Sequence, residues 1–147
     1  AIDPPSGFRL QSLSDENDHR KINRCLWRGF DHEGEISAPE ADRPGLAQRA
    51  PNFRKDLAIV AIDGRGDYVA YASTWYVPAN GIAYVEPVAT DPDVRRKGLG
   101  RVVVLESVRR AQQLGAKAAW VGSELEFYRA IGFTPAFRRY LWVKWRD

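Results

Sequence analysis

Two glycines one residue apart stand among four cations in Arg95-Arg96-Lys97-Gly98-Leu99-Gly100-Arg101. Glycine lets main chain approach a ligand closely, and outward N–H groups beside cations attract anions. The stretch therefore has the make-up of a diphosphate-holding loop. An apolar run, Ile82 to Ala89, precedes it through the turn Thr90-Asp91-Pro92. Beyond it, Val102, Val103, Leu105 and Val108 are spaced to bury one face of a helix, whose N-terminus adds partial positive charge. Two common phosphate loops are excluded. No Lys-Ser or Lys-Thr follows either glycine, as a P-loop requires. A dinucleotide fingerprint needs a third glycine where Val103 stands.

What remains is Arg95-x-x-Gly98-x-Gly100, between a strand and a helix, with Phe127-Tyr128-x-x-x-Gly132-Phe133 further on. Together these resemble the GCN5-related N-acetyltransferase (GNAT) superfamily, whose Gln/Arg-x-x-Gly-x-Gly/Ala loop holds the pyrophosphate of acetyl-CoA. The resemblance implies acetyl-CoA as co-substrate. It implies that the backbone N–H groups of Arg96, Lys97, Gly98, Leu99, Gly100 and Arg101 surround the pyrophosphate, with Arg95, Arg96 and Lys97 supplying charge. It further implies that main-chain groups of Val88, Ala89 and Thr90 pair with the pantetheine arm. Tyr128 is expected near the thiol as the acid, and Glu86, before the bend at Pro87, as the base, directly or through water. Glu124 and Glu126 are alternative bases. Many relatives carry a cofactor-touching asparagine after the fifth strand; here Gly122-Ser123-Glu124 stands instead, so no such contact is expected.

The chemistry so implied has two proton problems. A lysine-like acceptor with a pKa near ~10.4 is only about 0.04% free base at pH 7, a gap of about 4.6 kcal/mol that a positioned base can offset. The departing thiolate, of thiol pKa ~8.5, leaves more readily if a donor protonates it.

The elements needed to position these groups can be read from period and punctuation. Residues 1–7, with Pro4-Pro5, read as a linker or tail, and 8–147 as one domain, alone or as part of a longer chain that begins with a methionine absent here. Phe8 to Leu13 alternates as a strand; Ser14 or Asp15 caps a helix over 16–30 with Ile22, Cys25, Leu26 and Phe30 on one stripe. The loop Asp31 to Asp42 carries five carboxylates and no cation, a candidate attractant for an amine, and 43–50 form a short helix. Strands at 57–62, 68–77 and 82–89 make an antiparallel meander, a helix covers 99–114, and 117–121 is a strand parallel to the central one. A helix over 124–131 stops at Gly132. From Thr134 to Trp145 one or two strands are expected, with Leu141, Val143 and Trp145 on one face, covered by helices or used in a homodimer. The fold class is α/β, a mixed sheet in the order β-α-α-β-β-β-α-β-α-β(-β) with helices on both faces. The resemblance implies that order for nearly the whole chain.

Composition narrows the rest. A chain of 147 residues, 44% hydrophobic and 28% charged, is an ordinary globular domain able to bury a core. Its net charge of +3 is uneven, −2 over residues 1–50 and +5 over 51–147. A single cysteine excludes an internal disulfide, and no apolar run approaches a membrane span, so cytoplasm is the default. Two histidines and one cysteine in unrelated segments give no metal-ligand spacing, and no Gly-x-Ser-x-Gly elbow is present. The acidic front half argues against a nucleic-acid partner. The open readings are an N-acetyltransferase acting on a small-molecule or peptide amine, and a non-catalytic domain that binds acyl-CoA as a sensor. Trp27, Trp75, Tyr76 and Tyr84 are candidates for an aromatic acceptor pocket.

Overall fold

The computed structural model describes residues 2–138, 140 and 142–145. Five strands, β1 (Arg9–Ser12), β2 (Ala58–Ile62), β3 (Tyr68–Val77), β4 (Ile82–Thr90) and β5 (Ala118–Trp120), form one sheet in sequential order. Pairs β1/β2, β2/β3 and β3/β4 are antiparallel; β4/β5 is parallel. The parallel step requires a crossover, supplied by α4 (Leu99–Gln113).

Every residue of β2 is buried. Ile59 and Ala61 pack with Leu99, Val103 and Val104 of α4, whereas Ala58, Val60 and Ile62 pack with Ile22 and Cys25 of α1 (His19–Gly29) on the other side. A strand covered on both faces must be apolar at every position, which explains the unbroken Ala-Ile-Val-Ala-Ile run. Short helices α2 (Ala38–Ala41) and α3 (Arg43–Gln48) lie between α1 and β2, and α5 (Glu126–Ala130) follows β5.

Three local features differ from the sequence expectation. The N-cap of α1 is Asp18, which accepts from the N–H groups of Arg20 and Lys21 at 2.9 and 3.1 Å. Asp15 instead accepts from the N–H and hydroxyl of Ser12, closing the turn after β1. Part of the acidic loop coils into α2. The tail forms no strand among its described residues, and Tyr140, Trp142 and Trp145 are exposed. Phe137 rests on Trp120 at 5.3 Å between ring centres. Leu141 lies outside the described residues. Among the described residues no helix is long and apolar enough to cross a membrane, and no group of His, Cys, Asp and Glu could hold a metal ion.

Helix α4 is fixed by buried polar contacts. Ser107 donates to the Leu57 carbonyl at 2.6 Å and meets the Thr74 hydroxyl at 2.5 Å. Glu106, 6% exposed, accepts from Arg109 at 2.7 and 2.8 Å and from Arg110 at 2.9 Å. These bonds, Arg109's first, hold its carboxyl down to about 2 against an ordinary 4.5. A carboxyl lowered by folding contributes stability above its unfolded pKa and loses it as pH falls towards the folded value. That contribution is at most about 3 kcal/mol. Glu106→Gln is therefore expected to weaken the protein in urea at pH 7, with its deficit against wild type shrinking steadily between pH 4.5 and 2.

Candidate active site

The site begins with a register change in β4. Ala72 pairs with Val88 but Thr74 with Val85, so two steps along β3 meet three along β4. The extra residue falls at Glu86-Pro87. Proline has no N–H for the ladder, so a bulge there leaves no donor unmade. The Trp75 indole N–H donates to the Glu86 carbonyl at 2.8 Å, giving that displaced oxygen a partner. A bulge bends its strand, and β4 accordingly pairs with β5 only over Ile82–Tyr84. From Val85 to Thr90 the far edge of β4 has no strand beside it among the described residues. Asp91 donates its N–H to Val69 on the β3 side, so by strand alternation the main-chain groups of Val88 and Thr90 face the open edge and those of Ala89 face β3.

Where β4 ends, the chain enters the glycine loop. Asp91, 2% exposed, accepts from Asp93 N–H and opens a 3-10 turn over Pro92–Val94. Its carboxylate takes Arg28 at 2.6 and 3.0 Å, and the Arg28 guanidinium holds that carboxyl below its usual range. Arg96 (φ +64°) and Gly98 (φ +82°) both adopt the left-handed conformation. With the backbone so curled, the N–H groups of Arg96, Lys97, Gly98, Leu99, Gly100 and Arg101 find no acceptor among the described residues. The first N–H bonded back to the chain is that of Val102, to the Gly98 carbonyl at 3.2 Å. Leu99, 1% exposed, anchors the loop in the core. The result is a run of six N–H donors without an acceptor among the described residues, at a helix N-terminus, where free donors attract anions.

The two glycines of the motif act differently. A Cβ on Gly98 would meet nothing within 4 Å; its need is conformational. A Cβ on Gly100 would lie 3.1 Å from the Thr90 hydroxyl and 3.4 Å from the Phe127 ring, so Gly100 lets α4 start against β4 and α5. The cations also divide. Arg96, Lys97 and Arg101 are exposed. Arg95 instead donates to the carbonyls of Gly29 (2.9 Å) and Thr90 (3.2 Å) and to Asp31 (2.9 Å), tying the end of α1 to the end of β4. Its guanidinium is engaged by the protein through these three bonds.

Tyr128 reaches the site from α5. Gly132 (φ +102°) ends that helix, with Phe133 N–H donating to the Tyr128 carbonyl at 2.9 Å and Gly132 N–H to that of Arg129 at 3.1 Å. This paired closure, the Schellman motif, brings the residue after the glycine back onto the helix. Phe133 thus packs edge-on against Tyr128 at 5.7 Å, with Phe127 on another side at 5.0 Å. The Tyr-x-x-x-Gly-Phe pattern is the sequence form of that closure. The Tyr128 ring is buried, and its hydroxyl has no hydrogen bond among the described residues. Burial first, then the nearby Glu86 carboxylate and Tyr84, push its pKa up. The Glu86 carboxylate is therefore a charged neighbour of Tyr128. Glu86 is exposed and forms no ion pair among the described residues. Of the alternative bases, Glu126 leans on Arg129 at 3.4 Å; Glu124 is exposed in the loop where Ser123 accepts from Leu125 N–H.

On the other side of the bulge lies a cavity of about 230 Å³ between α1, α3 and the sheet. Trp75 and Pro87 line it, with Ile22 and Leu26 from α1 and Phe53 and Tyr71 opposite. Of the other aromatic candidates, Tyr76 is buried and donates to the Leu114 carbonyl, Tyr84 stands near Tyr128, and Trp27 stacks on His32. The acidic loop does not line the cavity; Asp31 pairs with Arg95 and Glu40 with Arg43.

Two positioning features were not legible as such. Gly29 ends α1 where a Cβ would stand 2.7 Å from the Ala89 Cβ and 3.0 Å from Thr90 N, so only glycine lets α1 dock on β4 there. The Arg28–Asp91 pair beside it joins residues 63 apart in sequence. A glycine at the end of an amphipathic stripe is a faint signal for the first, and nothing local announces the second.

Comparison with known proteins agrees with this geometry. A mycothiol acetyltransferase of Saccharomonospora viridis is 28% identical over 144 residues, covering 88% of this chain and 46% of that protein. This chain thus spans about half the length of that relative. Glucosamine-6-phosphate N-acetyltransferase from Arabidopsis thaliana shares the fold with a TM-score of 0.67, at 19% identity over 95% of this chain and 99% of that one. A GNAT family acetyltransferase from Brucella melitensis, solved in complex with acetyl-CoA, gives 0.66 at 17% identity over 87% and 83%. The model of the acetyltransferase (GNAT) family matches residues 19–134, most of the chain, and the chain belongs to that family.

Proposed function

We propose that this domain, residues 8–147, moves an acetyl group directly from the thioester of acetyl-CoA to a primary amine of a small molecule or peptide. The observation that carries the reading is the set of N–H groups from Arg96 to Arg101 that have no acceptor among the described residues, in the loop that follows β4 and opens α4. Those donors suit a diphosphate, and the exposed Arg96, Lys97 and Arg101 add charge around it. Arg95 supports the loop through Gly29, Asp31 and Thr90. The main-chain groups of Val88 and the N–H of Thr90, whose carbonyl is taken by Arg95, offer a strand-like edge to the amide-containing pantetheine arm, and Ala89 holds that edge to β3.

In this mechanism Glu86 takes a proton from the acceptor ammonium, directly or through a water. The free amine adds to the thioester carbonyl, and collapse breaks the carbon–sulfur bond. Tyr128 gives its hydroxyl proton to the departing thiolate, and its phenolate takes up the second proton released by the acylated nitrogen. Its raised pKa keeps it protonated, as an acid requires, and Glu86 is one of the charges that raise it. The test is an acceptor panel read by release of free thiol from acetyl-CoA. Thiol release dependent on an added amine is expected. Tight acetyl-CoA binding with no release for any amine would make the domain a sensor instead.

A further inference from the structure

We infer that the acceptor amine is carried on an aromatic or branched apolar group, and that the cavity beside the β4 bulge receives that group. This rests on the transferase reading and adds the substrate class to it. The cavity walls come from Ile22, Leu26, Phe53, Tyr71 and Trp75, with the small side chain of Ala47 from α3 among them. Phe53 and Trp75, which meet edge to face at 5.5 Å, put two aromatic rings in the wall, surfaces on which a further ring packs well. Polar partners are scarce. Gln48 also lines the cavity, but its amide is already engaged in a reciprocal pair with Asn17 at 2.8 and 3.0 Å. Arg43 lines it with a largely exposed side chain that leans on Glu40 at 3.5 Å. A hydroxyl buried without a partner costs about 1–3 kcal/mol, so a sugar ring carrying several would be rejected.

Size and position agree with that chemistry. An apolar cavity of about 150 Å³ holds benzene. At about 230 Å³ this one has room for a phenyl ring and a short alkyl linker. Pro87 lines the cavity and directly follows Glu86, and Trp75, also in the wall, donates to the Glu86 carbonyl. A group seated there lies against the β4 bulge, one residue along the chain from the carboxylate assigned to deprotonate the amine.

The test compares 2-phenylethylamine, the peptide Phe-Gly-Gly, glucosamine and spermidine by thiol release, and measures 2-phenylethylamine binding by calorimetry in the presence of CoA. The expected kcat/KM for 2-phenylethylamine exceeds that for glucosamine and spermidine about a hundredfold. Comparable turnover of Phe-Gly-Gly would identify a peptide N-terminus as the source of the same apolar group. Ala47→Phe places a ring in the cavity from an exposed position on α3. It is expected to raise KM for the aromatic amine about tenfold or more, with acetyl-CoA affinity on the same variant reporting an intact fold. Glucosamine or spermidine turning over as well as 2-phenylethylamine, or an unchanged KM in Ala47→Phe, would overturn the substrate class and leave the transferase reading standing. Binding of 2-phenylethylamine that Ala47→Phe removes, with no thiol released by any amine, would support the cavity assignment and overturn the transferase reading.

Discussion

Gly98→Val is expected to weaken acetyl-CoA binding at least a hundredfold while leaving a folded protein. Gly98 sits at φ +82°, where a β-branched residue is strained by roughly 1–3 kcal/mol. The strain tends to swing the backbone out of the left-handed conformation, turning away some of the N–H groups that converge on the anion site. Even where the backbone holds, the new isopropyl group stands in the open space before those donors, where nothing lies within 4 Å of a Cβ. Gly98→Ala carries the conformational penalty with much less bulk and should fall between valine and wild type. Equilibrium binding of acetyl-CoA, with circular dichroism as the check on folding, measures the series. Wild-type affinity in the valine variant would remove the loop from the binding site.

Gly100 gives the contrast. It falls in the same motif, yet a Cβ there presses on the Thr90 hydroxyl and the Phe127 ring within the protein. A spacing pattern names both glycines and cannot say which meets the ligand and which meets the fold. The same limit applies to Arg95. The motif marks it as a cation near a diphosphate, while its partners, Gly29 and Asp31, come from the end of a helix 64 residues or more away in sequence. What sequence does carry is period and closure. β2 and α4 are readable because burial on one or both faces imposes apolar spacing. Tyr128 is readable because a glycine four residues on and the phenylalanine after it specify the helix end that holds it. Pro87 marks the bulge because a missing N–H is a property of the residue itself. Long-range ion pairs such as Arg28–Asp91 leave no such trace. Among its described residues the tail from Thr134 makes no strand, for a related reason: alternation describes the residues themselves, whereas pairing depends on a partner that the sequence does not name.

Tyr128→Phe should lower kcat about a hundredfold or more with little change in the affinity for acetyl-CoA. The substitution removes one oxygen and keeps the ring that Phe127 and Phe133 pack against, and the lost hydroxyl has no bond to another described residue. A change in stability is therefore not the expected cause of the loss, and urea unfolding of both proteins tests that directly. The pH profile gives a second, independent reading. An acid works only while protonated, and burial with the neighbouring Glu86 charge keeps Tyr128 protonated above the ordinary tyrosine range. Wild-type kcat is accordingly expected to hold through mildly alkaline pH and to fall only above it. Glu86→Gln removes one cause of the raised pKa, so the residual activity of that variant should begin to fall at lower pH than in wild type. In Tyr128→Phe that limb should be missing. A Phe variant with wild-type kcat, or one that keeps the alkaline limb, would take the proton donation away from Tyr128 and leave the thiolate to depart unassisted or to water.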